Sequence, residues 1–225
     1  MLGTVPVTYT ATFAEASGPV PVAAYGFEET TGTTAADASG SGRNGTLMGP
    51  VRTTNGRFGR ALTFDGINDS VQIAHNLSLS GRNAFTVEAW VRPTATTGTR
   101  AVVVKERATN AAYGLYQRGS INRPMAFART ATLNQVNGPA AIAPNVWTHL
   151  AATWDGTTLR TYVNGVERSS VAATGLIGLG VGPLRIGGSR FANEWFKGDI
   201  DEVRVYRQAI SAAQIATDLN TPVVR

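Results

Sequence analysis

Three groups of residues in this 225-residue chain could do chemistry. The first is acidic: "GDIDEV" at 198–203, Glu88 alone on an earlier run, and Asp37, Asp65 and Asp69 beside glycines. A retaining glycosidase needs two carboxyl groups about 5 Å apart. Alternate residues of a strand share a face. Asp199 and Asp201 would then project together and Glu202 away from them, with no glutamate to serve as acid/base. Glu88 has Arg92 on its own face, which reads as an ion pair. By the same alternation Asp201 shares a face with Val203 and Val205. A carboxylate among such neighbours needs backbone N–H groups, an arginine or a hard cation.

The second group mixes aromatic and polar residues. "SRFANEWFKG" (189–198) offers Arg190, Asn193, Glu194 and Trp195 in one loop. Tyr113, Tyr116, Gln117, Arg118 and Arg123 lie around the middle of the chain. A sugar site needs an aromatic face for pyranose C–H surface and polar side chains for the hydroxyls. The competing reading has Trp195 and Phe196 plugging one end of the fold. The third group is the two histidines. His149 lies between apolar neighbours with no acidic or hydroxyl partner nearby in sequence, so it reads as structural; His75 reads as a loop residue. There is no Gly-x-Ser-x-Gly elbow, and the glycines of "ASGSGRNG" do not lead from a strand into a helix, so nucleophilic triads and phosphate loops are not supported.

The elements that must position these residues are strands. Runs rich in Val, Thr, Ile and aromatics recur between Gly, Asn, Asp and Pro: 61–66, 70–74, 84–93, 101–106, 113–117, 125–129, 146–154, 158–163, 182–188 and 200–206. Asp155-Gly156 and Asn164-Gly165 suit tight hairpins, which makes 147–166 a meander. In "FTVEAWV", Phe85, Val87, Ala89 and Val91 belong in a core, while Thr86, Glu88, Trp90 and Arg92 suit a partly wet face. The single helix signal is "SAAQIATDL", capped by Ser211, with Ile215 and Leu219 on one side. The expected fold is all-β, a two-sheet antiparallel sandwich with one short C-terminal helix.

Composition bounds the rest. The net charge is +5, there is no cysteine, and arginine supplies nearly all the positive charge. The arginines are scattered singly, which argues against a nucleic-acid footprint. No apolar run reaches the roughly 20 residues that span a bilayer. Residues 1–20 read as a linker with one strand-like run, Val5 to Phe13, and not as a signal peptide. Residues 21–225 read as one domain, expected to be a piece of a longer multi-domain chain.

Four segments in order resemble laminin-G-like jelly-roll domains of the concanavalin A-like lectin/glucanase superfamily. They are "VAAYGFEETTGTTAADASGSGRNGTL"; "GRFGRALTFDGINDSVQI"; "FTVEAWVRP" with "WTHLAATWDGTTLRTYVNGV"; and "LRIGG" followed by "FKGDIDEVRVYRQAISAAQI". The resemblance implies two curved sheets with first and last strands adjacent, an extracellular or cell-surface location, and a glycan or polysaccharide partner. It also implies a structural calcium, at Asp201, Glu28 and Asp37 by matching position, with Asp65 and Asp69 as weaker candidates. Asp37 and Asp65 could instead hold Asx turns. Glycosidases of this superfamily carry a Glu-x-Asp-x-x-Glu strand, which is absent here. The expected function is a non-catalytic accessory module that binds glycan through Trp195, Asn193, Arg190, Glu194, Tyr113 and Arg118. The alternatives are a protein-binding or spacer domain and a degenerate glycoside hydrolase.

Overall fold

The computed structural model describes residues 18–120, 122–191 and 193–224. The strand-like run at Val5–Phe13 lies outside the described residues. In chain order the strands are β1 (Ala23–Tyr25), β2 (Thr34–Ala35), β3 (Gly45–Met48), β4 (Val51–Thr53), β5 (Ala61–Asp65) and β6 (Ser70–Ile73). There follow β7 (Phe85–Pro93), β8 (Arg100–Glu106), β9 (Ala111–Arg118), β10 (Arg123–Arg129) and β11 (Leu133–Asn137). The last are β12 (Thr148–Trp154), β13 (Thr158–Val163), β14 (Val166–Ala172), β15 (Leu184–Ile186) and β16 (Lys197–Tyr206), before helix α1 (Ala212–Asp218).

They form two antiparallel sheets. The first has the order β14-β13-β12-β7-β16-β5-β4, with β1 also paired to β16. The second runs β11-β10-β9-β8-β15-β6-β3-β2. The pairing of β1 with β16, Ala23 opposite Val205, brings the first and last strands together. Inward alternation joins the two sheets: Phe85, Val87, Ala89 and Val91 of β7 share one core with Val103, Tyr113 and Leu115 of the second sheet. Phe85 sits at its centre, stacked on Tyr113 at 4.2 Å and tilted against Trp154 at 6.1 Å.

The meander forms as its turn residues dictate. Asp155 closes β12–β13 by accepting from the N–H groups of Thr157 and Thr158 at 2.9 and 2.8 Å. Asn164, at φ 50°, closes β13–β14, and its side chain accepts from the His149 N–H at 2.9 Å. Both residues are scaffold.

Two expectations about faces are corrected. Along β16 the pairing shifts by one residue between Asp201, opposite Trp90, and Arg204, opposite Glu88. The extra residue is Glu202, which takes φ 54°. This bulge re-aims the strand, so Ile200, Val203 and Val205 all reach the core while Asp201 lies on the opposite face from Val203. The second correction concerns the outer face of β7. Thr86, Glu88 and Trp90 are buried: Thr86 bonds to the Gln208–Ile210 segment leading into α1, Glu88 faces Asp218 of α1, and Trp90 donates to the Leu219 carbonyl at the helix end beneath the Arg57 guanidinium. Ser211 caps the helix, and Ile210 and Ile215 pack on Ala151, Tyr162 and Tyr206. Seven residues are too few for an isolated helix. Docking sustains it: burying a side chain such as Ile215 is worth roughly 1.5–3 kcal/mol.

Candidate functional site

A hollow of about 260 Å³ lies on the outer face of the second sheet. Alternation selects its floor. Tyr113 and Leu115 of β9 turn inward, so Gly114 and Tyr116 turn outward; Met125 and Phe127 of β10 do the same opposite them. The missing side chain at Gly114 leaves room for the Phe127 ring, which a Cβ there would meet at 2.8 Å. The rings of Tyr116 and Phe127 lie 5.6 Å apart and tilted by 57°. Around them stand Arg129, Leu133 and Gln135 on one side and Ser189, Phe191 and Glu194 on the other. The volume falls below the roughly 300–1,000 Å³ typical of enclosed ligand pockets, so it suits part of a ligand laid along a surface.

The loop between β15 and β16 forms one wall and is tied down at several points. The Glu106 carboxylate at the end of β8 is fully buried and accepts from the Arg190 N–H at 3.2 Å. It also pairs with the guanidiniums of Arg185 at 3.1 Å and Arg190 at 3.4 Å. The Ala101 N–H donates to the Glu194 carbonyl at 3.0 Å. Burial raises the Glu194 carboxyl pKa, with the Tyr116 hydroxyl and Arg118 opposing the shift. Arg118 donates to Gln135 at 2.8 Å, so it stands beside the groove.

Of the six expected ligand-binding residues, then, Glu194 lines the groove, and Arg118 and Arg190 flank it. Asn193 is exposed in the loop at φ 52°. Trp195 is half-buried and lies against Gly188, where a Cβ would stand 2.4 Å from the indole; its carbonyl accepts from Arg100. The neighbouring Phe196 is fully buried, edge-on to Phe64. Trp195 therefore packs on backbone and Phe196 plugs the sandwich. Tyr113 leaves the candidate set: it is fully buried, and its hydroxyl donates to the Leu79 carbonyl at 2.7 Å. Residues missed from the sequence are Phe127, Arg129, Phe191 and Gln135, together with Glu106 behind the loop. Alternation from a single inward residue, Tyr113 or Leu115, would have placed Tyr116 on the outer face; Phe127 needs the β9–β10 register, which sets it opposite Gly114.

The acidic residues separate into different tasks. Asp37 accepts from the N–H groups of Ala24, Ser39 and Arg43 at 3.0, 2.9 and 2.9 Å. Burial works against its charge, but these donors hold its pKa below the ordinary value. Asp65 makes an Asx turn to Ile67 at 2.7 Å. Asp201 accepts from Arg57 and Phe58 through one oxygen and from Glu202 through the other. Its pKa is pushed up to about 8 by burial and the neighbouring Glu202. Glu202 itself is pushed up to about 7, first by burial and with a contribution from Glu28. Glu28 accepts from the Arg60 N–H at 2.9 Å. Among the described residues no three Asp, Glu or His side chains come together closely enough to hold one ion. The expected trio of Asp201, Glu28 and Asp37 is therefore not a side-chain shell for calcium. Asp37 pins β1 to its own loop. Glu202 accepts from the Val223 N–H through one oxygen, and its other oxygen is buried without a partner.

Glu88 does not pair with Arg92, whose guanidinium instead meets Asp199 at 2.8 Å. Glu88 lies under α1, 3.7 Å from His149 and 4.0 Å from Arg204, too far for a hydrogen bond to either. Both its oxygens and both His149 nitrogens lack partners. Burial and the facing Asp218 raise the Glu88 pKa well above its usual value. Burial lowers His149 to about 3. Two carboxyls do meet here, but beneath a helix and not in a cleft.

Comparison with known proteins accords with this architecture. Residues 65–216 match the family model of laminin G domains described as the concanavalin A-like lectin/glucanases superfamily. Mouse pappalysin-1 is 26% identical over 184 residues, which make up 72% of this chain and 11% of that protein. The chain thus spans about a tenth of the curated relatives it matches. Domain 4 of AbnA, an extracellular arabinanase from Geobacillus stearothermophilus solved with arabinotriose, superposes with TM-score 0.72 at 23% identity, covering 89% of this chain and 98% of that one. The binding domain of Paraclostridial Mosquitocidal Protein 1 gives TM-score 0.70 at 17% identity, over 88% of this chain and 51% of that one.

Proposed function

The chain belongs to the concanavalin A-like lectin/glucanases superfamily, and on that premise we propose that it is a non-catalytic carbohydrate-binding module whose site is the groove at Tyr116. The observation that carries this reading is the groove itself. Tyr116 and Phe127 form a recessed floor, 3% and 5% exposed, below the more open Phe191 ring at 38%, and Glu194, Gln135 and Arg129 around it offer acceptors and donors for sugar hydroxyls. The arabinotriose complex of the arabinanase domain supports the ligand class for a module of this shape. A non-catalytic role is supported by the state of the carboxylates: Asp199 is committed to Arg92 and Thr63, Asp201 to three backbone N–H groups, and Glu88 is covered by α1. We place the module outside the cell, as part of a longer chain.

Calcium is a separate proposal. Two carboxylates, Glu28 and Glu202, would face it, and the buried Glu202 oxygen that has no partner would gain one. Backbone carbonyls would have to complete the shell. A polysaccharide binding screen with calcium and again with EDTA, following the melting temperature, tests both proposals. Retention of a glycan that survives EDTA, with a lower melting temperature, is the expected result. No retention of any polysaccharide by a cooperatively folded domain would favour the protein-binding or spacer reading. A melting temperature indifferent to EDTA would remove the calcium.

A further inference from the structure

The groove at Tyr116 does not end at its own rim. Thr109 and Asn110 line it and also line a second hollow, of about 390 Å³, formed with Arg107, Leu179, Gly180 and Val181. Leu179 in turn lines a third hollow, of about 220 Å³, with Leu77, Arg82 and Arg207. Thr109 and Asn110 are common to the first two hollows and Leu179 to the last two, so the three adjoin in a row, a track along the surface with Leu179 standing between two of them.

Two features suggest what the track holds. One is charge. Arg129 stands in the first hollow, Arg107 in the second, and Arg82 and Arg207 in the third. None of these four forms an ion pair among the described residues. Glu194 is the one carboxylate among all the residues that line the three hollows. The other feature is the segment over Arg107. Gly178 and Gly180 press on the Arg107 side chain, where Cβ atoms would fall 1.8 and 2.5 Å from it. Between and beyond them Leu179 and Val181 point outward, 52% and 73% exposed. A cation laid along a glycine-backed channel beside small apolar surfaces offers charge to an anion and apolar contact to a sugar ring.

We infer that the site takes an extended anionic polysaccharide, with one sugar on Tyr116 and the carboxylate or sulfate groups of following residues read by Arg107, Arg82 and Arg207. This rests on the glycan-binding reading of the Tyr116 groove and adds the ligand's charge and length to it. Carboxylate and sulfate share the chemistry that a guanidinium fork recognises; the source of the anion is left to the test.

The test is titration calorimetry of the folded chain with size-graded oligosaccharides of three kinds: neutral arabinan, polygalacturonate and heparin. The variants are Arg82→Ala/Arg207→Ala, which changes only exposed residues, and Arg107→Gln, checked by thermal melting. Affinity for an acidic series should rise with chain length beyond what the first hollow spans and should weaken as salt is added. Each variant should lower that affinity about tenfold, since charge-assisted hydrogen bonds are lost, and leave binding of a short neutral oligomer unchanged. If uronate binds and heparin does not, or the reverse, the anion is identified. If neutral chains bind as well as acidic ones, or if the exposed double variant binds the acidic chains as wild type does, the inference falls while the Tyr116 groove stands. If nothing binds, both fall.

Discussion

Glu88→Gln should stabilise this protein, increasingly so as pH rises. Glu88 is fully buried, with neither oxygen within hydrogen-bonding distance of a partner. The groups facing it are His149 from β12, Arg204 and Tyr206 from β16, and Asp218 from α1. Burial and Asp218 raise its pKa, so folding favours the protonated form. A raised pKa gives stability that is complete below the unfolded value, near 4.5, and is lost as pH climbs toward the folded value. The loss is about 1.4 kcal/mol per pH unit for one proton. Glutamine keeps the shape but cannot ionise. Wild type and variant should therefore match near pH 4.5, and by pH 6.5 the variant should lead by up to about 2–3 kcal/mol. For a domain of this length that is roughly 5–10 °C in melting temperature. His149 titrates in the opposite sense, losing stability as pH falls from 6.5 toward about 3; it is common to both proteins and cancels in the difference. Calorimetry at pH 4.5, 5.5 and 6.5 measures the gap. A variant less stable than wild type at pH 6.5 would refute the reasoning, since Glu88 would then be an ionised partner of Arg204.

Three further substitutions separate packing from binding. Phe196→Ala should cost about 3–5 kcal/mol, because the ring is fully buried against Phe64, and this is readable by denaturant unfolding. Trp195→Ala, at a half-buried ring resting on Gly188, should cost less and leave glycan retention intact in affinity electrophoresis. Tyr113→Phe removes the donor to the Leu79 carbonyl and should cost about 1–3 kcal/mol by the same unfolding assay, with no change in glycan affinity.

Alternation and turn chemistry made much of the sandwich legible. The ten strand runs, the Asp155 and Asn164 hairpins and the Ser211 cap all depend on residues close in sequence. Two things that depend on residues far apart were not. The bulge at Glu202 breaks the period of two, so Asp201 was assigned to the wrong face; nothing in "GDIDEV" announces a glutamate at positive φ. The outer face of β7 looked wet because Glu88 and Arg92 are charged, yet α1, more than a hundred residues later, covers Glu88 and leaves only Arg92 near solvent. For the candidate site, the sequence pointed to the 189–198 loop and the 113–117 run, and both border the groove. It put Trp195 among the binding residues beside a competing reading as a plug, and the ring lies against Gly188. Tyr113 and Tyr116 are three apart on one strand and must face opposite ways, a parity that separates core from groove.

The central claim is that Tyr116 forms the floor of a glycan site. The direct measurement is titration calorimetry of wild type and Tyr116→Ala with the oligosaccharide best retained in the screen, with melting temperature as a fold control. About tenfold weaker binding by a folded Tyr116→Ala is predicted, because the groove loses its floor and the hydroxyl beside Glu194. Equal affinity in the two folded proteins would contradict the account and move the site away from the second sheet.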